Sequence, residues 1–458
     1  MNEELELLYE KLSYFFENRK FADLRMTLID MEPIDIATFI EENLEDRDQI
    51  VFFRLLPKEL ASDVFVEFES DTQEALIKTF TDKELKAVID DMFLDDTVDI
   101  IEEMPANMVK RILKNSDPEN RKQINELLEY PDDSAGSIMT PEFVSLSENM
   151  TVEQAFDKIR QTGVNKETVY TCYVTDGRKK LIGVITVKDM LLSPKSEIIA
   201  NIMDTNVITV ETLEDKEDVA IKFSKYDLLA MPVIDKEGCL VGIVTVDDAV
   251  DVLQEEATED IQKMAAILPT EKPYLKQSVF DIWLKRIPWL LVLMISATFT
   301  GLILNTYESM LNGLSTLLFA CIPMLMDTGG NAGSQASVTV IRSLALGDLE
   351  CKDVLKVLWK EIRVSIMLAA VLAGACFGKL WVIDRLIFGY NYTPLICAAV
   401  SISMFITVVI AKVVGCLLPL FAKKIKLDPA VVASPFITTI VDALSLLVYC
   451  GISFALLG

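Results

Sequence analysis

The chain has 458 residues, 51% of them apolar, and a formal net charge of −27. It contains no histidine, which removes the commonest catalytic base and the commonest transition-metal ligand. The acidic excess repels nucleic acid and attracts cations, so no nucleic-acid partner is expected.

The charge is unevenly divided. Residues 1–261 carry 27 basic and 59 acidic side chains, whereas residues 262–458 carry 16 basic and 11 acidic ones. The opening "MNEELELLYEKLSYFF" is charged and amphipathic and does not read as a signal peptide, so the acidic part is expected to start and stay in the cytoplasm. The eight cysteines include no C-x-x-C pair. Cys321, Cys376, Cys397 and Cys450 fall in apolar segments and read as reduced core or lipid-facing residues, not as a disulfide framework or zinc site.

Residues 1–130 read as an acidic, all-helical repeat domain. "FFRLLPKELASDVF" from Phe52 is followed 24 residues on by "LIKTFTDKELKAVI" from Leu76, and after another 24 by "IIEEMPANMVKRIL" from Ile100. Phe52, Leu76 and Ile100 correspond, as do Leu56, Phe80 and Met104. A helix-pair repeat of this kind stacks into a short solenoid.

Residues 137–253 hold a longer duplication, with copies over 137–200 and 201–253. "GSIMTPEFVSLSENMTVEQAFDKI" is answered by "ANIMDTNVITVETLEDKEDVAIKF", and "LIGVITVKDML" by "LVGIVTVDDAV". Each copy reads strand, helix, strand, strand, helix. This pattern resembles a CBS domain pair, a module that senses small ligands. In that family the strings Gly183–Thr186–Asp189, with Lys188 inside, and Gly242–Thr245–Asp248 often contact the ribose of an adenine nucleotide such as ATP. Many pairs bind none, so both outcomes stay open.

Residues 251–270, beginning "DVLQEEATEDIQKMAAI", read as a linker helix. Asp251, Glu255 and Glu259 are four apart, as are Glu256 and Asp260, which lines carboxylates along one side. Within the segment only Lys263 opposes their repulsion.

Residues 280–458 read as a membrane domain. Ile287 to Tyr307 has no charge across 21 positions, long enough to span. Further spans are expected at about 312–338, 364–383, 390–416 and 431–456, five in all. With a cytoplasmic N-terminus, the inner loops carry Arg342, Lys352, Lys356, Lys360, Arg363, Lys423, Lys424 and Lys426. The outer loops carry Glu308, Asp384 and Arg385. That bias fits the positive-inside rule and places the C-terminus outside. Five spans are few for a pore in one chain, so a symmetric dimer sharing a pore on its axis is expected.

The second span contains "PMLMDTGGNAGSQASVTVIRSLALGDL". Pro323, Gly329, Gly330 and Gly333 weaken the helix, and irregular backbone at membrane depth is tolerated only where buried or lining a cavity. Asp327, Asn331 and Gln335 are four apart and share a face. Helix packing through polar hydrogen bonds is the alternative reading. The last span, "PFITTIVDALSLLVYCGISFALLG", carries a lone acid, Asp442. A charge at that depth costs roughly 2.5–3.5 kcal/mol on insertion scales. Either an ion pathway or an ion pair with Lys412 on the fourth span can offset it.

A helical acidic repeat, a CBS pair, an acidic linker helix and five spans together resemble the MgtE family of magnesium channels. The strings "GGNAGSQ" and "LDPAVVASPFITTIVD" are similar to that family's pore motifs. The resemblance implies a multi-domain fold: an α-helical solenoid-like N-domain, an α/β CBS-domain pair, a connecting (plug) helix and a five-helix transmembrane domain. It implies that Asp442 binds hydrated Mg2+, with Asp327, Gly329, Gly330, Asn331, Gln335, Ser434 and Thr438 lining the pore. Ser434 is a departure, since an amide is expected there in some members. Magnesium keeps most of its water and is held by one or two carboxylates, which two copies of Asp442 on a dimer axis would supply.

The resemblance further implies regulatory Mg2+ held at cytoplasmic carboxylates. The candidates are Asp95 and Asp99 on the helical repeat, Asp227, Asp248 and Asp251 on the second CBS copy, and Glu256, Glu259 and Asp260 on the linker. Glu217 and Asp428 are bridging candidates. For each, a solvated surface carboxylate is the alternative. The expected function is a homodimeric, magnesium-selective channel in the plasma membrane. It imports Mg2+ down its electrochemical gradient and closes when Mg2+ fills the cytoplasmic sites. The alternatives are the same architecture conducting Mn2+ or Co2+, which oxygen ligands alone do not exclude, or a non-transporting membrane Mg2+ sensor. With no histidine, Walker loop or nucleophile motif, no catalytic residue and no enzyme activity are expected.

Overall fold

The computed structural model describes residues 3–270, 274–275, 277–431 and 434–457, apart from the side chains of residues 3, 59, 165, 309–314 and 434. It divides into two units, Met1–Val252 and Leu253–Gly458.

The first unit opens with short helices from Glu3–Glu17 to Pro118–Leu127. The sequence period sets their order. Lys58–Val66, Asp82–Ile89 and Ala106–Asn115 start 24 residues apart, as do Ser70–Thr79, Leu94–Glu103 and Pro118–Leu127. Helices of 8–10 residues are marginal alone and need a neighbour. Phe52, Leu76 and Ile100 supply it, all buried, with Leu56, Phe80 and Met104 beside them. Thr81 caps the helix Asp82–Ile89 through a capping box with Glu84. Arg111 reaches back one repeat to the carbonyls of Ile77 and Phe80 and to Asp82 at 3.2 Å, tying successive pairs together.

Two three-stranded sheets follow, β1 (Ser145–Ser147), β2 (Thr171–Thr175) and β3 (Leu181–Thr186), then β4 (Val210–Glu211), β5 (Ala230–Ile234) and β6 (Leu240–Thr245). In each copy the first pairing is parallel, crossing over through a helix, and the second antiparallel. The copies lace into each other. Val184 and Asp204 exchange two backbone hydrogen bonds of 2.8 Å, and Thr140 and Ile243 exchange two of 2.8 and 2.9 Å. Glycine suits each crossing: a Cβ on Gly183 would press on the Asp204 carbonyl at 3.0 Å and one on Gly242 on the Thr140 carbonyl at 3.0 Å, with a methionine side chain against each.

The helix Val246–Met264 closes the second copy and runs on without a break, so the expected linker at 251–270 begins inside a CBS helix. Five long helices then follow: Val279–Leu314, Thr316–Ala345, Val354–Gly378, Pro394–Lys424 and Ser434–Leu457. Four stretches among the described residues are long and apolar enough to cross a membrane: Val279–Glu308, Cys351–Ile387, Pro394–Lys424 and Pro435–Leu457. The second long helix falls short because Asp327, Asn331 and Gln335 dilute its apolar run. That helix is continuous past Pro323 and the glycines, where the sequence predicts weakness. Each glycine lowers helix propensity by about 1 kcal/mol, and close helix contact at these positions offsets it. The third helix continues as a π-helical stretch, Lys379–Ile387, so Asp384 and Arg385 sit in helical backbone and not in the expected loop. There Lys379 pairs with buried Asp384 at 2.7 Å, and Arg385 lies 4.0 Å from the Trp381 ring centroid.

Candidate functional site

The second long helix has two unlike faces. Asp327, Asn331 and Gln335 are exposed in one stripe, and Asn331 Nδ2 donates to Asp327 Oδ1 at 3.2 Å. Gly329, Gly330 and Gly333 are buried on the other face. A Cβ on Gly329 would meet Thr407 at 2.8 Å and Ser445 at 3.0 Å, and one on Gly330 would meet Thr438 at 3.2 Å. Gly329 and Gly330 therefore serve as seats for the fourth and fifth helices and do not share the exposed stripe. At Gly333 the fourth helix crosses so closely that a Cβ on Gly415 would collide with the Gly333 carbonyl.

The close seating brings Asp442, half-buried on the fifth helix, within electrostatic reach of Asp327. Thr438, one turn before Asp442, donates to the Pro435 carbonyl at 2.9 Å. Lys412 is buried at 5% exposure, and among the described residues no ion pair joins it to Asp442. The side chain of Ser434 lies outside the described residues.

A second acidic group forms within the first unit. Asp95 and Asp96 occupy the first turn of Leu94–Glu103, where acids complement the helix dipole. The Leu94 N–H donates to Glu142 Oε2 at 3.1 Å, and the Glu167 N–H donates to the Glu142 carbonyl at 2.9 Å. These bonds draw Glu142 and Glu167, from the first CBS copy, against the two aspartates. Burial raises Asp96 to about 8, helped by the charges of Asp95, Glu167, Asp99 and Asp248. Burial, with Asp95, Asp247, Asp248 and Glu142, likewise raises Glu167 to about 8. Asp95 and Asp248 are pushed to about 6, chiefly by burial. Asp95 Oδ1 is fully buried, and among the described residues it has no hydrogen-bond partner. Nearby, burial and then Asp251 raise Glu67, while burial and Asp247 raise Asp251. Among the described residues, no three carboxylates or thiols are gathered closely enough to hold one metal ion.

The expected candidates divide accordingly. Asp95, Asp248 and Asp251 belong to this group, and Asp99 stands exposed at its edge. Asp227 is exposed and left-handed (φ 52°) as the C-cap of Lys216–Tyr226, a helix-ending role away from the group's charge causes. Glu217 lies in that helix's first turn, its N–H donating to Asp215 at 2.9 Å. The residues that sequence reasoning missed are Asp96, Glu142, Glu167 and Asp247. Only the repeated acidic pairs Asp95–Asp96 and Asp247–Asp248 hinted at them.

A third acidic group lies in the second unit. Lys263 bridges Glu259 at 2.8 Å and Asp428 at 2.7 Å. Burial works against its charge, yet the hydrogen bonds of Asp428 and Glu259 hold its pKa above the ordinary lysine value. Asp260 is raised to about 6 by burial and by Asp428, with Lys263 and Arg342 opposing. Glu256 is half-buried on the same helix.

Of the nucleotide candidates, Thr186, Lys188 and Asp189 are exposed, and Thr245 is buried. Both threonines bond the following aspartate at 2.5 Å, Thr186 to Asp189 and Thr245 to Asp248. In the first copy Thr186 also caps the helix Val187–Leu192.

Three family models match: a divalent cation transporter domain at residues 322–452, an MgtE intracellular N domain at 31–133, and CBS domains at 135–195 and 199–255. The magnesium transporter MgtE of Thermus thermophilus is 35% identical over 438 residues, 95% of each chain. That of Bacillus subtilis is 31% identical over 440 residues, 95% of this chain and 94% of the relative. Among solved structures, the soluble part of a magnesium transporter matches with TM-score 0.52 and 30% identity, covering 55% of this chain and 99% of that one. The cytosolic domain of the Mg2+ channel MgtE in complex with ATP matches with TM-score 0.51 and 33% identity, covering 53% and 99%.

Proposed function

Because the chain belongs to the MgtE family and is a multi-pass membrane protein, we propose that it is a magnesium channel whose pathway runs past Asp442. The observation that carries this reading is the pair of carboxylates, Asp442 and Asp327, set within electrostatic reach on adjoining apolar helices. Two like charges there repel unless water and a cation lie between them. Asn331, Gln335 and Thr438 offer further oxygens for the water shell that Mg2+ keeps. A homodimer doubles the set on its axis, in a plasma membrane with the N-terminus cytoplasmic and the C-terminus outside. Ions then enter down their electrochemical gradient.

The acidic groups of the first unit serve as the sensor. Each raised carboxylate binds a proton readily because its charged form is costly there, and Mg2+ lowers that cost in the same way. Asp95, with an unpartnered buried oxygen, has the donor such an ion needs. Asp96, Glu142, Glu167 and Asp248 surround it with charge. The ion favours the closed form by binding it better than the open one. The group around Lys263, Asp260 and Asp428 passes this state to the loop before the fifth long helix. Adenine nucleotide is a second effector, at the exposed Thr186–Lys188–Asp189 turn; a relative's cytosolic domain was solved with ATP.

The test is Mg2+ flux into proteoliposomes. The parent should conduct, and Asp442→Asn should conduct poorly with its fold intact. Equal flux in the variant removes Asp442 from the pathway. No flux in the parent at any internal Mg2+ concentration favours a sensor without transport, and preferential Mn2+ or Co2+ flux corrects the ion.

A further inference from the structure

A groove of about 500 Å3 opens between the start of the third long helix, the end of the fourth and the start of the fifth. Val354, Val414, Leu418, Phe421 and Ile440 line it, and among its lining residues Lys424 alone is charged. We propose that this groove seats one anionic phospholipid, an acyl chain along the apolar wall and the headgroup phosphate on Lys424. The inference rests on the chain's spanning a bilayer and not on which ion it carries.

Three observations favour that occupant. The first is length. From Val414 to Lys424 the fourth helix rises about 15 Å, about half of a hydrocarbon core of roughly 30 Å. The groove is one leaflet deep, with its cation at the depth of the headgroups. The second is charge. Lys424 is exposed at the last residue of its helix, and among the described residues no carboxylate lies within ion-pair distance of it. Three lysines near this end are committed, Lys352 to Glu350 and Lys356 to Asp353, each at 2.7 Å, and Lys423 to the Leu344 carbonyl at 3.4 Å, while the exposed Lys360 and Lys426 are not among the groove's lining residues. The third is shape. A flat lipid-facing helix offers a chain one side, whereas three helix ends here enclose it, so dispersion contacts form on several sides. Basic pockets between membrane helices recognise anionic headgroups in this way.

The test is native mass spectrometry of the full chain in mild detergent, with phosphatidylglycerol and phosphatidylcholine of identical acyl chains. Phosphatidylglycerol should be retained preferentially, by about fivefold for one lysine at an anionic headgroup. Lys424→Gln should abolish the preference, Lys424→Arg should keep it, and Lys360→Gln, a change outside the groove lining, should leave it unchanged. Leu418→Trp, which fills the groove, should lower retention of both lipids. Lys424 is exposed, so its variants fold even if the tryptophan variant does not. The proposal is overturned if Lys424→Gln keeps the preference, or if Lys360→Gln loses as much of it. It is also overturned if Leu418→Trp converts dimers to monomers with lipid retention unchanged, which assigns the groove to a second copy of the chain.

Discussion

Replacing Asp96 by Asn keeps its volume and removes one charge from the acidic group it forms with Asp95, Glu142, Glu167 and Asp248. After burial, the charges that act most strongly on Asp96 (Asp95, Glu167, Asp99 and Asp248) all raise its pKa. Like charges a few ångströms apart repel by about 1–4 kcal/mol per pair, depending on the local dielectric. Asp96→Asn should therefore stabilise the unit in the absence of Mg2+ and weaken its response to Mg2+. Hydrogen exchange at Leu94–Glu103 reads this directly, because it reports local opening free energy. In EDTA at pH 8.5, exchange in the variant should slow by about fivefold to about a thousandfold, the range that 1–4 kcal/mol sets. The pH dependence has a fixed sign. Asp96 and Glu167 are raised to about 8 from 3.8 and 4.5, so folding favours their protonated forms. The stability this provides is complete below the unfolded values and is lost as pH rises through about 8. The variant's advantage should thus shrink at pH 6, and Mg2+ should protect the parent more at pH 8.5 than at pH 6. Unchanged or faster exchange in the variant at pH 8.5, with full Mg2+ protection retained, would refute the repulsion argument.

Asp442→Asn should lower Mg2+ flux by at least tenfold while the dimer survives, read from proteoliposome uptake and mass measurement. Lys263→Met removes the cation between Glu259 and Asp428. Closure should then need more Mg2+, seen as a rightward shift of inhibition by Mg2+ on the cytoplasmic face; an unchanged midpoint counts against that group's role. Gly415→Ala should destabilise the membrane unit by about 1–3 kcal/mol, since overpacking here meets backbone and not a flexible side chain. Thermal unfolding in detergent measures it, and a neutral result means the crossing can open. Deleting residues 1–252 should leave flux that Mg2+ no longer shuts off.

Periodic features were legible in the sequence. The 24-residue spacing of Phe52, Leu76 and Ile100 reports burial once per helix pair, and the paired strings around Gly183 and Gly242 report one supersecondary unit built twice. Asp442 was visible because nothing around it is charged. What escaped were contacts that only the fold creates. Asp96 looks like an ordinary first-turn acid, and Glu142 and Glu167 lie 46 and 71 residues further on in unremarkable context. No local pattern says that the Leu94 N–H will reach Glu142. The glycines of the second long helix misled for a related reason. Propensity reads them as weakness, but their value is set by partners on the fourth and fifth helices. Within its own segment Lys263 reads as the lone cation, whereas its second partner, Asp428, comes from 165 residues away.

The crossing of Gly333 and Gly415 bears on how the membrane unit can deform. Where side chains separate two helices, the pair can creep, because rotamers rearrange and take up small sliding steps. Here main chain rests on main chain, and that lubricating layer is missing. The second and fourth long helices are thereby keyed together like a spine, and the polar stripe on the second cannot drift alone. The crossing also constrains inheritance: a side chain at Gly415 would strike the Gly333 main chain, so a lineage that loses Gly415 must first separate the pair.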